Sequence, residues 1–267
     1  MNAEMEVYKP KNHVRVVTAT SLFDGHDAAI NIMRRILQDT GVEVIHLGHN
    51  RSVQEIVDAA IEEDVQGVAV SSYQGGHIEF FKYLVDLLKE REAPHIKVFG
   101  GGGGVIVPEE IRILESYGVT KIYSPEDGAR LGLQGMVNHI VECLDFSTVK
   151  EDGISFEDLA PQCKLRVANL ITAAEQAKAR EDGHLAALRA EMAKKIGGRK
   201  TPVIGITGTG GAGKSSLTDE VILRILHDLK DIHVAVISCD PSRRKTGGAL
   251  LGDRIRMNVI GNPRLYL

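Results

Sequence analysis

Apolar positions recur with two different periods along roughly the first half of the chain. Residues 13–18 (HVRVVT) form a short apolar run of strand type. Ile30, Met33, Ile36 and Leu37 then fall on one helical face that ends near Gly41. Residues 42–47 (VEVIHL), 65–72 (VQGVAVSS), 96–100 (IKVFG) and 119–123 (VTKIY) predict four more strands. The helix after the second strand should open with a capping box, Ser52 and Glu55 satisfying each other's backbone donors. An amphipathic stretch through Phe81, Leu84 and Leu88 follows the third strand. Pro108 and Gly118 punctuate the start and end of the next helix, and a last helix is predicted over about 128–142. Strand followed by helix, five times over, predicts an α/β fold: a five-stranded parallel, flavodoxin-like (Rossmann-like) sheet with right-handed crossovers. Such sheets bind ligands beyond the C-terminal ends of their strands.

The pattern changes after residue 145. Leu165 to Ile171, and then Leu185, Leu188, Met192 and Ile196, give helical faces without strands, broken near Gly183 and closed by Gly197 and Gly198. Residues 146–200 are therefore expected to be a helical linker, whose apolar stripe should pack on a partner surface. A new α/β unit is predicted from Thr201, with strands at TPVIGIT (201–207) and IHVAVIS (232–238). The expected organisation is 1–145, 146–200 and 201–267, the last being the first part of a P-loop domain. A length of 267 residues suits two domains at ~150 residues each. The chain is 43% hydrophobic and 25% charged with a net charge of −4, which leaves no global field for nucleic acid and no polybasic membrane patch. No apolar run approaches the ~18 residues of a membrane span. The first residues (MNAEMEVYKPKNH) lack a signal-peptide core, so a cytoplasmic protein with reduced Cys143, Cys163 and Cys239 is expected.

Two stretches carry chemistry. Residues 208–215 (GTGGAGKS) match G-x-x-x-x-G-K-[ST] between a predicted strand and an amphipathic helix bearing Leu217, Val221, Ile222, Ile225 and Leu226. Backbone N–H groups of Gly208, Gly210, Gly211, Ala212, Gly213 and Ser216 would cradle phosphate at the helix start. Lys214 would reach the β/γ-phosphates as the catalytic cation, and the Ser215 hydroxyl would ligate Mg²⁺. Downstream, CDPSRR (239–244) and TGGALLGDRIRM (246–257) follow. The whole string resembles the metallochaperone-type GTPases that service cobalamin-dependent acyl-CoA mutases. That resemblance implies that Asp240 and Asp253 join Ser215 around Mg²⁺ and that Arg256 lies near the nucleotide. It also makes residues 243–245 a switch segment, although a solvated basic loop would read the same. GTP is favoured over ATP by the resemblance alone, since no N-K-x-D guanine reader occurs in these residues.

The second stretch is DGHDAA (24–29), at the end of the first strand. Asp24 is placed to accept a hydrogen bond from the His26 ring, the arrangement that fixes the tautomer of a metal-bound imidazole. SSYQGGH (71–77) and FGGGGG (99–104) end the third and fourth strands on the same edge of the sheet, where small residues leave room for a bulky group. Together these resemble the base-off, His-on cobalamin-binding domain with its D-x-H-x-x-G, S-x-L and GG motifs. The sequence departs from that pattern at Ala29 and Tyr73, and five glycines make the GG pair ambiguous. The resemblance implies that His26 ligates cobalt, that Asp24 orients it, and that Ser71, Gly100 and Gly101 line the slot for the displaced nucleotide tail. His77 lies near that slot too, but surface polarity explains it equally well.

A cobalamin domain joined to a P-loop domain resembles the fused isobutyryl-CoA mutases. The resemblance implies radical interconversion of isobutyryl-CoA and n-butyryl-CoA with adenosylcobalamin, GTP hydrolysis gating cofactor loading, a mutase barrel binding the acyl-CoA on the same polypeptide, and a homodimer. A non-catalytic protein that delivers or senses cobalamin, with a GTPase switch, fits the same residues. A corrinoid methyltransferase subunit is disfavoured because only about 12 residues precede the first strand, short of a helical bundle. An ATP-dependent kinase would use only the P-loop.

Overall fold

The computed structural model describes residues 6–149, 163–180, 183–238 and 257–267. They fall into two compact units that divide after Thr148.

The first unit holds a parallel sheet of β1 (Arg15–Ser21), β2 (Glu43–Arg51), β3 (Gly67–Ser71), β4 (Lys97–Gly101) and β5 (Lys121–Tyr123), in the order β2-β1-β3-β4-β5. Helices α1 (Ala28–Asp39), α2 (Val53–Glu62), α3 (His77–Glu90), α4 (Pro108–Tyr117) and α5 (Pro125–Leu144) connect and follow the strands. Every residue of β1 and β3 is buried, as expected of central strands covered on both faces. Successive side chains alternate between the faces. Val14, Val16, Ala69 and Phe99 pack with Ile30 and Leu37 of α1 and with Val137, Ile140 and Leu144 of α5. On the opposite face, the Cβ position of Gly100 points at Phe81 of α3.

The predicted capping box is present: the Glu55 amide donates to Ser52 Oγ, and the Ser52 amide to Glu55 Oε2 at 2.8 Å. Several boundaries differ from the periodicity; β2, for one, runs on to Arg51, four residues past its apolar run. Strand β1 runs on to Ser21, because Thr20 and Ser21 continue the ladder although they are polar. Helix α5 begins at Pro125 rather than near residue 128, since Ser124 caps it by accepting from the Asp127 amide and Pro125 fits the first turn. The helix is interrupted at Gly132, whose φ of 64° breaks the helical backbone.

His46 on β2 bonds Thr18 Oγ1 through Nδ1 at 2.9 Å. Burial, followed by the charge of Arg34, pushes its pKa down to about 4. Between about pH 6.5 and pH 4 the unfolded chain binds a proton at His46 that the folded unit refuses, so stability falls as pH falls through that window. The ring is partly exposed, which scales the effect down to about 1 kcal/mol at pH 5 relative to pH 7. Urea unfolding should show that loss, and His46→Gln, which keeps a partner for Thr18, should remove it. An unchanged pH dependence in the variant would exclude His46 as the source.

The second unit contains α6 (Lys164–Arg180), α7 (His184–Ile196), α8 (Lys214–Asp228), β6 (Val234–Ala235) and β7 (Leu265–Tyr266). Helix α8 packs Ile222 and Leu226 on Met257, Val259 and Leu265. Asp219 of α8 is buried and accepts from Asn258 Nδ2 at 2.7 Å and from the Val259 amide at 3.1 Å. The apolar stripe expected to be covered on α7 is open: Leu185 and Leu188 are half-buried, and Met192 and Ile196 are exposed. The strand expected at 201–207 does not form. A parallel strand exists only where neighbours complete its ladder, and among the described residues β6 and β7 pair only with each other. Val203 is accordingly 91% exposed. The second expected strand contracts to β6. Among the described residues, no helix is long and apolar enough to cross a membrane.

Candidate functional site

The loop after β1 is organised by a carboxylate. Asp24 is buried, with its side chain 1% exposed, and each of its oxygens is engaged. Oδ1 accepts from the His26 amide at 2.9 Å and pairs with the His26 ring Nδ1 at 2.8 Å. Oδ2 accepts from the Tyr73 amide, which ties the end of β3 to the loop after β1. Burial raises the pKa of Asp24, but these donors outweigh it, and the carboxyl titrates below its usual value. Asp24 is thus an ionised acceptor at neutral pH and places the ring proton of neutral His26 on Nδ1. The imidazole itself is 75% exposed, and among the described residues no hydrogen-bond partner is found for Nε2. That is the lone pair an axial metal ligand requires. Among the described residues no cluster of three His, Cys, Asp or Glu side chains could hold a metal ion.

Tyr73 replaces the leucine of S-x-L, and its ring lies 5.4 Å from that of His26, tilted by 37°. Its far side rests on the glycine run. A Cβ on Gly103 would stand 2.9 Å from Tyr73 Cε1, and Gly103 has a φ of 55°. Phe23, just before Asp24, is a residue the motif does not flag. It adopts a left-handed φ of 64°, its amide donates to Asn50 Oδ1 at 2.8 Å, and its ring is 85% exposed. A bulky residue held in that conformation is strained by about 1 kcal/mol or more, a feature common at ligand sites.

Register defines the slot. Thr20, Ser71, Gly101 and Tyr123 are successive partners across β1, β3, β4 and β5, and so share one face. That face is the one covered by α1 and α5. Ser71 is buried, and among the described residues its hydroxyl has no hydrogen-bond partner. A Cβ on Gly101 would meet only the Tyr123 carbonyl, at 3.7 Å. Gly100 differs: its Cβ would stand 2.5 Å from both Phe81 Cζ and Ile122 Cδ1. Of the two glycines expected to line a slot, Gly101 opens onto the face covered by α1 and α5, and Gly100 faces the core on the other side of the sheet. Gly102 is closed off as well, since its Cβ would fall 2.0 Å from the Ser72 carbonyl. An unpaired buried hydroxyl beside a side-chain-free wall, next to an accessible imidazole nitrogen, fits a cofactor that brings a metal to His26 and a polar arm into the sheet–helix layer. His77 belongs to neither feature. It is buried, with Nδ1 on the Gln74 carbonyl and Nε2 on Glu110, each at 3.0 Å.

The glycines separate in a test. Gly100→Ala should lower the unfolding free energy by about 1–3 kcal/mol through overpacking. Gly101→Ala should leave stability within about 0.5 kcal/mol of wild type yet weaken cobalamin binding at least about tenfold, because the methyl group narrows the slot. Chemical denaturation and cobalamin titration of both variants read the difference, and equal cobalamin affinity in Gly101→Ala would reject the slot assignment.

In the second unit, Gly211 and Gly213 both take a φ of 77°, which turns the chain into α8. Lys214 is the first residue of that helix, and its Nζ donates to the Thr209 carbonyl at 2.8 Å. The same carbonyl accepts from the Ala212 amide at 3.3 Å. The loop therefore curls with its lysine drawn against it, at the positive end of a 15-residue helix. Ser215 and Ser216 occupy the first turn. Asp240, Asp253 and Arg256, the other expected magnesium and nucleotide residues, lie outside the described residues, as do residues 243–245 and Cys239.

Comparison with known proteins agrees with both halves. The family model of the B12 binding domain matches residues 14–129, and that of the methylmalonyl-CoA mutase-associated GTPase MeaB matches residues 167–264. The second match begins inside the segment expected as a linker and takes in nearly all of α6 and the whole of α7. The fused isobutyryl-CoA mutase of Geobacillus kaustophilus is 61% identical over 98% of this chain and 24% of its own length. That of Cupriavidus metallidurans is 59% identical over 97% of this chain and 23% of its own. The 2-hydroxyisobutanoyl-CoA mutase small subunit of Aquincola tertiaricarbonis is 35% identical over 41% of this chain and 79% of its own. The chain spans about a quarter of the length of the fused relatives it matches. With a B12 binding domain, a MeaB-type GTPase region and this identity over nearly all of its residues, the chain corresponds to the cobalamin-binding and GTPase portion of the fused isobutyryl-CoA mutases.

Proposed function

We propose that this chain holds adenosylcobalamin through His26 and couples its loading to GTP hydrolysis at the Gly208–Ser216 loop. In this reading it serves a mutase barrel that interconverts isobutyryl-CoA and n-butyryl-CoA. The observation that carries the proposal is the Asp24–His26 pair, an imidazole oriented by a buried carboxylate with Nε2 free beside a slot lined by Ser71 and Gly101. When bound, the cofactor supplies the adenosyl radical for the rearrangement. The chain's own residues bind and orient. Asp24 holds the Nδ1 proton, so that Nε2 keeps its lone pair. Ser71 offers its hydroxyl to the tail, and Gly101 leaves the tail room.

At the nucleotide, Lys214 would exchange the Thr209 carbonyl for phosphate oxygens, Ser215, Asp240 and Asp253 would hold Mg²⁺, and Arg256 would serve the nucleotide. The acyl-CoA barrel lies on the same polypeptide in this reading, and the assembled enzyme is a homodimer. The short share of the fused relatives that this chain spans supports a further mutase part.

The test uses the complete polypeptide that carries this chain. Adenosylcobalamin should bind with the absorption of a corrinoid whose benzimidazole is off the cobalt, and the loaded protein should convert isobutyryl-CoA to n-butyryl-CoA. Base-off binding without any acyl-CoA conversion would replace the mutase reading by one of cobalamin delivery.

A further inference from the structure

Thr20 stands one step outside every motif of the site. It lies four residues before Asp24 and pairs with Ser71 across the β1–β3 ladder. Its side chain is completely buried, and among the described residues its Oγ1 has no hydrogen-bond partner. The contrast with Thr18, two residues earlier on the same face, is informative: the Thr18 hydroxyl is satisfied by His46 Nδ1 at 2.9 Å. A buried hydroxyl without a partner weakens folding by a factor of about ten relative to an apolar side chain of the same shape. The fold carries two of them side by side, Thr20 and Ser71, at the C-terminal end of adjacent strands, in one row with the open position of Gly101.

We propose that Thr20 is a second hydrogen-bonding residue of the slot, and that its hydroxyl contacts the nucleotide tail of cobalamin beside Ser71. The inference rests on the cobalamin reading above and deepens it. Two hydroxyls on one wall can engage a base that offers a ring nitrogen together with a sugar that both donates and accepts. A corrinoid without that tail offers neither. Thr20 is thus a specificity residue for the tail and plays no part in holding cobalt.

The experiment compares cobalamin with cobinamide, which lacks the tail, on wild type, Thr20→Val and Thr20→Ser, each measured by absorption titration and by thermal unfolding without ligand. Valine keeps the shape and removes only the hydroxyl. Thr20→Val should bind cobalamin about 5- to 30-fold more weakly and cobinamide as well as wild type does, while the ligand-free protein unfolds at the same or a higher temperature. Thr20→Ser, which restores a hydroxyl, should return cobalamin affinity to within about threefold of wild type. Unchanged cobalamin affinity in Thr20→Val overturns the inference, as does an equal loss for both ligands. If wild type binds cobalamin no better than cobinamide, the tail slot itself falls, and the inference falls with it. If wild type favours cobalamin and Thr20→Val does so equally, the slot stands and only the role of Thr20 is lost.

Discussion

Cobalamin should bind His26→Ala at least about 100-fold more weakly than wild type, and the Co(II) form of what does bind should lose the nitrogen hyperfine splitting of an axial imidazole. The magnitude follows from the position of the ring. Residues that only orient a metal ligand are worth about 10- to 100-fold in affinity, and removing the ligand itself should exceed them. The fold should not suffer, because the imidazole is 75% exposed and the backbone of the loop is held by Asp24 through the His26 and Tyr73 amides. Asp24 is the opposite case. Asp24→Asn keeps a side-chain oxygen for one amide but replaces the other acceptor with a donor facing either the Tyr73 amide or the His26 Nδ1 proton. It should weaken cobalamin about tenfold and also destabilise the protein, by about 1–3 kcal/mol, since a buried donor is left facing a donor. The pair of variants therefore separates ligation from loop order. Unaltered spectra and affinity in His26→Ala protein would end the assignment of the cobalt ligand.

Much of this site is legible in the sequence because its chemistry is local. Asp24 and His26 are two residues apart, so their hydrogen bond needs only a turn, and the Ser52–Glu55 box is readable for the same reason. Features that depend on register were not legible. Thr20 reads as the polar tail of a strand whose apolar pattern stops at Val17. Only the pairing Thr20–Ser71–Gly101 places it on the slot wall. Likewise, five consecutive glycines look equivalent in one dimension. Pleating sends the Cβ positions of Gly100 and Gly101 to opposite faces, one into Phe81 and the other to an ordinary contact with the Tyr123 carbonyl. The start of α5 carried a readable signal in Ser124-Pro125 that the apolar period alone passes over. Residues 201–207 have the composition of a buried strand, and among the described residues no neighbouring strand completes a ladder for them.

In the complete polypeptide, Lys214→Ala should reduce Mg²⁺-dependent GTP hydrolysis by about 10²- to 10³-fold, the range found when one preorganised donor to developing charge is removed. The lysine is placed for that role by backbone geometry. Gly211 and Gly213, both at a φ of 77°, turn the chain so that residue 214 opens α8, and its ammonium reaches back over the loop to the Thr209 carbonyl. A nucleotide phosphate competes for that ammonium with a neutral carbonyl, and the charged acceptor wins because charge-assisted hydrogen bonds are about twice as strong as neutral ones. Stability should change by less than about 0.5 kcal/mol, since the side chain makes one partly exposed bond and the cradle is formed by main-chain groups. Cobalamin affinity should stay at the wild-type value, because no residue that orders His26 comes from the loop. Hydrolysis of GTP and ATP, measured side by side on wild type and variant, reads both the role of Lys214 and the choice of base. Retained GTP turnover in Lys214→Ala would remove the lysine from catalysis, and a wild-type preference for ATP would overturn the assignment of GTP while leaving the phosphate loop intact.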